Sequence, residues 1–160
     1  MQEHIDPTDY RPRLHFTAPY GWLNDPNGLI FHDGLWHLYY QHEPEQLVWG
    51  PMHWGHAVSR DLLHWTHLPP ALRPHDGIYI FSGSMVCDRE DTSGLSKPGP
   101  DGKRIVPLAA FYTAHRVEGH RESTCLALSY DGGRSFTDFP GNPVIDTPVE
   151  GGRPIPDFRD

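Results

Sequence analysis

The sequence predicts an all-β protein, because turn-forming residues are frequent, aromatic residues are abundant and helical periodicity is missing. Glycine and proline make up about a fifth of the 160 residues, and aromatic residues make up 12%. The apolar stretches are short, and none repeats at helical spacing over a convincing length. Short strands joined by tight turns explain these observations, and the aromatic content argues against a disordered chain.

The clearest predicted hairpin joins two apolar and aromatic strands, residues 29–32 and 35–40, through Asp33-Gly34. An Asp-Gly pair favours a type I′ turn, because both central residues of that turn need a positive φ. The polar, Gly- and Pro-rich stretch 89–104 is predicted to be a surface excursion between strands. Further strands are predicted at residues 54–58, 63–67, 80–86, 106–113, 125–129 and 135–139.

Two similar segments, 70 residues apart, indicate an internal repeat. In each, a strand leads through a Ser-x-Asp turn, at Ser59–Asp61 and at Ser129–Asp131, into an aromatic strand and then a proline. Serine and aspartate side chains close such turns by bonding to backbone amides. The expected role of both aspartates is therefore turn formation rather than catalysis.

The repeated units predict four-stranded blades of a β-propeller, the first at about 24–70, the second at about 78–143 and a third beginning near Asp157. The first strand of each blade lines the central channel of a propeller. Polar motifs stand near these starts, at Asn24–Gly28, Phe81–Ser84 and Phe158–Asp160. Such a topology would bring side chains from distant parts of the sequence together in one funnel.

The net charge is −8, and Lys97 and Lys103 are the only lysines. An acidic chain without a basic stripe is not expected to bind nucleic acid or an anionic membrane surface. No run of about 18 apolar residues predicts a membrane span. The start, Met1–Asp6, has neither the apolar core nor the basic flank of a signal peptide, so a cytoplasmic protein is expected unless a leader was removed.

Neither cysteine supports a metal or redox site, because Cys87 and Cys125 lie outside any C-x-x-C pair. They could form a bridge, but a domain of this size needs none, and two buried thiols are the favoured expectation. The chain has 12 histidines, and the candidate pair His53 and His56 would point to opposite faces of a strand. Neither a metal site nor a cofactor is predicted.

The segment Trp22–Gly28, which reads Trp-Leu-Asn-Asp-Pro-Asn-Gly, resembles the signature of the β-fructofuranosidases of glycoside hydrolase family 32. This family includes invertases, inulinases and levanases. The resemblance begins near Arg13 and extends over nearly the whole chain. Further matching segments follow in family order at Tyr40-Gln41, Trp49–His56, Phe81–Ser84, Ser129–Gly133 and Phe158–Asp160. The run Phe81–Val86 is more similar to invertases and exo-acting fructanases than to phosphosucrose hydrolases.

The resemblance implies a five-bladed β-propeller followed by a β-sandwich. Residues 13–160 would then be a partial catalytic propeller domain, with the first two blades and the start of the third. Residues 1–12 would be an amino-terminal extension. The remaining blades and the sandwich are expected to be absent from this chain.

The resemblance also implies a retaining glycosidase, which needs one carboxylate as nucleophile and a second as acid/base. Asp25 corresponds to the nucleophile, with Pro26 and Gly28 expected to form a tight turn that aims it into the funnel. Asp160 corresponds to the transition-state stabiliser, which holds two hydroxyls of the fructosyl ring. The implied sugar-contacting residues are Asn24, Gln41, Trp49, Phe81, Ser82 and Arg159. Three further tryptophans, Trp36, Trp54 and Trp65, are expected to pack the blades.

The expected reaction is hydrolysis of terminal β-D-fructofuranosyl bonds in sucrose, inulin or levan. The acid/base glutamate of the family lies in a Glu-Cys context beyond Asp160, so this chain alone is expected to be inactive. Two alternatives stay open: a non-catalytic carbohydrate-binding relative, and a fructosyltransferase with the same nucleophile. The oligomeric state is not predicted.

Overall fold

The computed structural model describes residues 11–159, which form strands, turns and loops with no helix. No helix that could span a membrane is therefore found in this range. The strands form two four-stranded antiparallel sheets and two short ribbons. In chain order the strands are β1 (Trp22–His32), β2 (Leu35–Glu43), β3 (His53–Ser59), β4 (Trp65–Leu72), β5 (Ile78–Cys87), β6 (Lys97–Pro98), β7 (Arg104–Ile105), β8 (Leu108–Arg116), β9 (Arg121–Ser129), β10 (Thr137–Asp138), β11 (Val149–Glu150) and β12 (Arg153–Pro154).

The two large sheets confirm the prediction of repeated four-stranded units. The first sheet has the order β1-β2-β3-β4, and the second has the order β10-β9-β8-β5. In both, each strand pairs with its neighbour in sequence, apart from the ribbon β6–β7 between β5 and β8. That ribbon lies in the predicted excursion 89–104, which is mostly exposed. In each sheet the strand that comes first in the sequence, β1 or β5, lies at an edge. The polar motifs Asn24–Gly28 and Phe81–Ser84 therefore lie on edge strands.

The predicted Asp33-Gly34 hairpin turn and both Ser-x-Asp turns are confirmed. Asp33 and Gly34 connect β1 and β2 with φ values of 48° and 80°, as a type I′ turn requires. Asp61 Oδ1 accepts hydrogen bonds from the amides two and three residues later, at 2.9 and 2.8 Å. Asp131 Oδ1 accepts from the amides three and four residues later, both at 3.0 Å. Both aspartates therefore organise turns.

Some predicted strand bounds are wrong. Strand β4 begins at Trp65 rather than Leu63, because the backbone before it is held in the turn around Asp61. Strand β10 is limited to Thr137–Asp138. The prediction of two buried thiols holds for Cys125, whereas Cys87 at the end of β5 is only partly buried; both cysteines are free.

The two sheets share one hydrophobic core. Tyr39 and Trp54 of the first sheet pack against Ile80, Tyr112 and neighbouring small residues of the second. All four side chains are at most 2% exposed. The core role predicted for Trp54 is confirmed. Burial of each of these large side chains stabilises the contact between the sheets by about 1.5–3 kcal/mol.

The other two tryptophans expected to pack the blades lie nearer the surface of the first sheet. Trp36 contacts Phe31 with ring centroids 5.0 Å apart, and Trp65 contacts Phe16 at 5.5 Å. Phe16 precedes β1 and also packs edge-on against Tyr40 at 5.0 Å. The segment before β1 thus covers the face of the first sheet that is turned away from the second.

Candidate functional site

Asn24 and Asp25 lie within strand β1, which continues through Pro26 and Gly28, so the tight turn predicted at Pro26 and Gly28 is wrong. Between Leu23 and Pro26 the strand instead contains one residue more than the paired segment of β2. Adjacent residues of a regular strand point to opposite faces, but a β-bulge re-aims the side chains at the extra residue. The bulge explains how two consecutive polar side chains can serve one site.

Strand β5 also contains a β-bulge. Between Ile80 and Gly83 it contains one residue more than the paired segment of β8, and the dipeptide at this irregularity is Phe81-Ser82. Gly83 is needed there, because a Cβ atom at this position would collide with the carbonyl oxygen of Phe111. Both edge strands are therefore distorted where they meet.

Seven of the eight site residues predicted from the sequence line one cavity of about 350 Å³. The eighth, Asp160, lies outside the described residues. The lining residues come from β1, β2, β5, the β2–β3 loop and the end of the described chain. They are Asn24, Asp25, Gln41, Trp49, Phe81, Ser82 and Arg159. The structure thus brings together side chains that are up to 135 positions apart in the sequence.

The two distorted strands are joined by a hydrogen bond in which Ser82 Oγ donates to Asp25 Oδ2 at 2.7 Å. The distance is that of an ordinary O–H···O hydrogen bond. Asp25 is otherwise exposed, and Oδ1 is turned toward no donor among the described hydrogen bonds. A carboxylate held through one oxygen and open at the other is suited to contact a ligand.

Two amide side chains that line the cavity are held by hydrogen bonds within the protein. Gln41 is 2% exposed and its Nε2 donates to the backbone oxygen of Ile80 at 2.9 Å. Asn24 Oδ1 accepts from Trp22 Nε1 at 2.8 Å. Asn27, which the sequence did not single out, is buried below them, and its preferred amide orientation places Oδ1 3.1 Å from Gln41 Nε2. These contacts fix the orientation of the Asn24 and Gln41 amides.

Two aromatic residues form one wall of the cavity. Trp49 is 50% exposed, so it is a rim residue rather than part of the core. Its ring meets Phe81 edge-on, with centroids 6.0 Å apart and an interplanar angle of 70°. Phe81 in turn stacks on His115, at 4.4 Å and 7°. An exposed indole beside a half-buried phenyl ring offers an apolar surface of the kind that packs against a sugar ring.

Arg159 reaches the cavity from the end of the described chain and is held by two carboxylates. Its Nη1 donates to Glu122 Oε1 at 3.2 Å, and its Nη2 lies 3.1 Å from Asp157 Oδ1. His115 Nδ1 lies 3.0 Å from the same Glu122 oxygen. The sequence analysis missed Glu122 and His115, since they stand outside the recognisable motifs and meet only through the β8–β9 pairing.

In residues 11–159 no three His, Cys, Asp or Glu side chains are grouped as metal ligands would be.

Residues 15–160 match the family model described as the glycosyl hydrolases family 32 N-terminal domain. The chain belongs to this family. Among curated relatives of family 32, levanase from Bacillus subtilis is 51% identical over 152 residues, a match that covers 95% of this chain and 21% of the levanase. An invertase from Schwanniomyces occidentalis is 45% identical, with coverages of 89% and 27%. The chain therefore spans about a quarter of the length of these relatives.

Solved structures of family 32 share the fold. A β-fructofuranosidase from Schwanniomyces occidentalis, complexed with fructosyl-erythritol, matches with a TM-score of 0.77 and 42% identity over 89% of this chain and 28% of that one. An exo-inulinase from Aspergillus awamori matches with a TM-score of 0.78 and 38% identity, covering 89% and 30%. The prediction of an all-β chain from the family 32 β-propeller is confirmed, with the two large sheets as blades.

Proposed function

We propose that the protein cleaves terminal β-D-fructofuranosyl bonds in sucrose or fructans by a retaining double displacement. The observation that carries this proposal is the cavity at the junction of the two blades, where Asp25 meets side chains suited to bind a sugar. Relatives named levanase, invertase and exo-inulinase support the substrate class, as does the fructosyl-erythritol complex of a related fructofuranosidase.

In the proposed reaction Asp25 is the nucleophile. Its carboxylate attacks the anomeric carbon of the fructosyl unit while the bond to the leaving-group oxygen breaks and that oxygen receives a proton. Water then attacks the covalent fructosyl–enzyme intermediate, gives up a proton and releases Asp25. The support for this role is the position of Asp25 at the cavity, with one oxygen bonded to Ser82 and the other open.

The neighbouring groups have complementary proposed roles. Asn24 and Arg159 supply amide and guanidinium donors for ring hydroxyls, and the Gln41 side-chain oxygen supplies an acceptor. Trp49 and Phe81 wall the apolar side of the sugar. Asp160, next in sequence to Arg159, is proposed to hold two ring hydroxyls as an acceptor-only carboxylate. Such bonds strengthen as positive charge develops on the ring, so they favour the oxocarbenium-like transition state.

The general acid/base is proposed to come from a glutamate in a part of the protein that follows Asp160. Protonation of the leaving group contributes about 10²–10⁴-fold to such reactions. The isolated chain of residues 1–160 should therefore not hydrolyse fructosides at enzyme-like rates. In the complete protein this glutamate should stand about 5–5.5 Å from Asp25, the carboxylate separation of a retaining enzyme.

The test is release of fructose from sucrose, inulin and levan by the complete gene product. Asp25→Asn should abolish release, since an amide is neither a nucleophile nor a leaving group here, while Asp101→Asn in the exposed excursion should not change it. Absence of fructose, or release that survives Asp25→Asn, would overturn the proposal. Oligosaccharide formation at high sucrose concentration would instead identify a fructosyltransferase with the same nucleophile.

A further inference from the structure

Glu122 is a buried carboxylate next to the cavity that the proposed reaction does not use. It is 5% exposed, although an ionised carboxylate is costly to bury without charged partners. Both of its partners donate to the same oxygen, Oε1, whereas Oε2 has no hydrogen-bond partner. The Glu122 backbone is fixed as well, by its pairing with His115 across β8–β9 and by the Thr147 hydroxyl, which donates to its carbonyl oxygen.

The first partner of Glu122 is a cavity-lining residue. Arg159 has a long side chain that can adopt many rotamers, so its guanidinium needs anchors to stay at the cavity. Of its two carboxylate anchors, Asp157 has a side chain that is 73% exposed and Glu122 one that is 5% exposed. Because water screens the exposed pair, the buried carboxylate is the stronger anchor.

The second partner leads to the aromatic wall. His115 Nδ1 is 3.0 Å from Glu122 Oε1, which fixes the orientation of the imidazole ring. The ring lies parallel to Phe81, at 4.4 Å. Phe81 lines the cavity beside Ser82, the partner of Asp25. The Oε1 atom of Glu122 therefore holds the Arg159 guanidinium directly. Through His115 it also holds the Phe81 ring of the same cavity.

We propose that Glu122 is a positioning residue of the fructosyl site, which sets the Arg159 guanidinium directly and the Phe81 ring through His115. This inference rests on the proposed function, because it assigns Glu122 to the same cavity. Glu122 acts through these residues and touches no substrate. A displacement of about 1 Å in such a group can cost as much as 10²-fold in rate.

The test is a double-mutant cycle on kcat/KM for sucrose in the complete gene product. Glu122→Met keeps the side-chain volume and removes both oxygens, and it should lower kcat/KM about 10- to 100-fold. Glu122→Gln keeps an acceptor oxygen and should restore activity to within about threefold of the unaltered enzyme. In an Arg159→Ala background both substitutions should have much smaller effects, since most of the positioned group is already gone.

Each outcome has a separate meaning. Equal losses with and without Arg159, or no loss at all, would overturn the positioning role, whereas absence of fructose release by the unaltered protein would overturn the proposed function itself. Glu118→Ala, an exposed glutamate in the turn between β8 and β9, is the matched control and should leave kcat/KM unchanged. Should Glu122→Met fail to fold, Glu122→Ala takes its place in the cycle, because it also removes both oxygens, and a loss that is the same in both backgrounds again overturns the role.

Discussion

Ser82 donates a 2.7 Å hydrogen bond to Asp25 and so connects the first strands of two blades at the candidate site. Ser82→Ala removes the donor and should lower kcat/KM about 10- to 100-fold, since a hydrogen bond to a charged group is worth about 1.5–3 kcal/mol. Steady-state kinetics on sucrose with the complete gene product would check this. Ser84→Ala, two residues further along the same strand and exposed, is the matched control. Equal activities of the two variants would contradict the role of this bond.

The sequence motifs correctly predicted which side chains come together at the site. The strand pattern places these motifs on the first strand of each blade, and the first strands of neighbouring blades lie next to each other. Asn24, Asp25, Phe81 and Ser82 were expected at the starts of two blades, and they line one cavity. The bulges that aim them were not foreseen. The Asp-Pro-Asn-Gly composition favours a turn locally, but pairing with β2 extends it into a strand, so tertiary context overrides local propensity.

Glu122 illustrates a different limit of the sequence. Its partners, His115 and Arg159, are 7 and 37 positions away, and neither spacing marks a motif. Only the register of the β8–β9 hairpin sets Glu122 opposite His115, and a shift of one residue would turn it to the other face. A glutamate in a polar stretch is normally expected at the surface, so its burial depends on packing that the sequence does not display.

A buried histidine pair should make stability pH-dependent. His56 is fully buried, and its Nε2 lies 3.1 Å from Nδ1 of His37. Burial, with the nearby His37 and Arg134 as further causes, lowers the pKa of His56 to about 3. Because the folded-state pKa is below the unfolded value, the unfolded state binds more protons as the pH falls below about 6.5, and stability should fall by up to about 1.4 kcal/mol per pH unit.

Urea unfolding between pH 7.5 and 5 would measure this dependence. His56→Gln removes the titrating group and should flatten the slope, even if it lowers stability at neutral pH. His64 is the control, because its imidazole is exposed and its hydrogen bond to Asp61 raises its pKa, so His64→Gln should leave the slope from the buried pair in place. An unchanged slope in His56→Gln would mean that other groups cause the pH dependence.

The contact between the blades should depend on Tyr39. Its side chain is fully buried in the first sheet, and its hydroxyl donates to the carbonyl oxygen of Gly133, in the β9–β10 turn, at 3.0 Å. Tyr39→Phe keeps the ring but leaves that buried carbonyl without its donor, and it should cost about 1–3 kcal/mol. Thermal unfolding would show a lower Tm, whereas Tyr20→Phe at a 55% exposed position should not shift Tm. An unchanged Tm in Tyr39→Phe would show that water or a local shift replaces the bond.

Gly83 should be the most sensitive glycine of the site, because it closes the bulge that carries Phe81 and Ser82. A methyl group there would collide with the Phe111 backbone, so Gly83→Ala must push β5 away from β8. Overpacking of this kind costs about 1–3 kcal/mol, and the displacement should also separate Ser82 from Asp25 and lower kcat/KM. Gly34→Ala is the control, since its Cβ meets nothing within 4 Å and its only penalty is the positive φ of 80°. Measuring both Tm and kcat/KM separates a loss of stability from a loss of site geometry. Gly34→Ala should lower Tm and leave kcat/KM unchanged. Full activity in Gly83→Ala would show that the bulge does not set the position of Ser82.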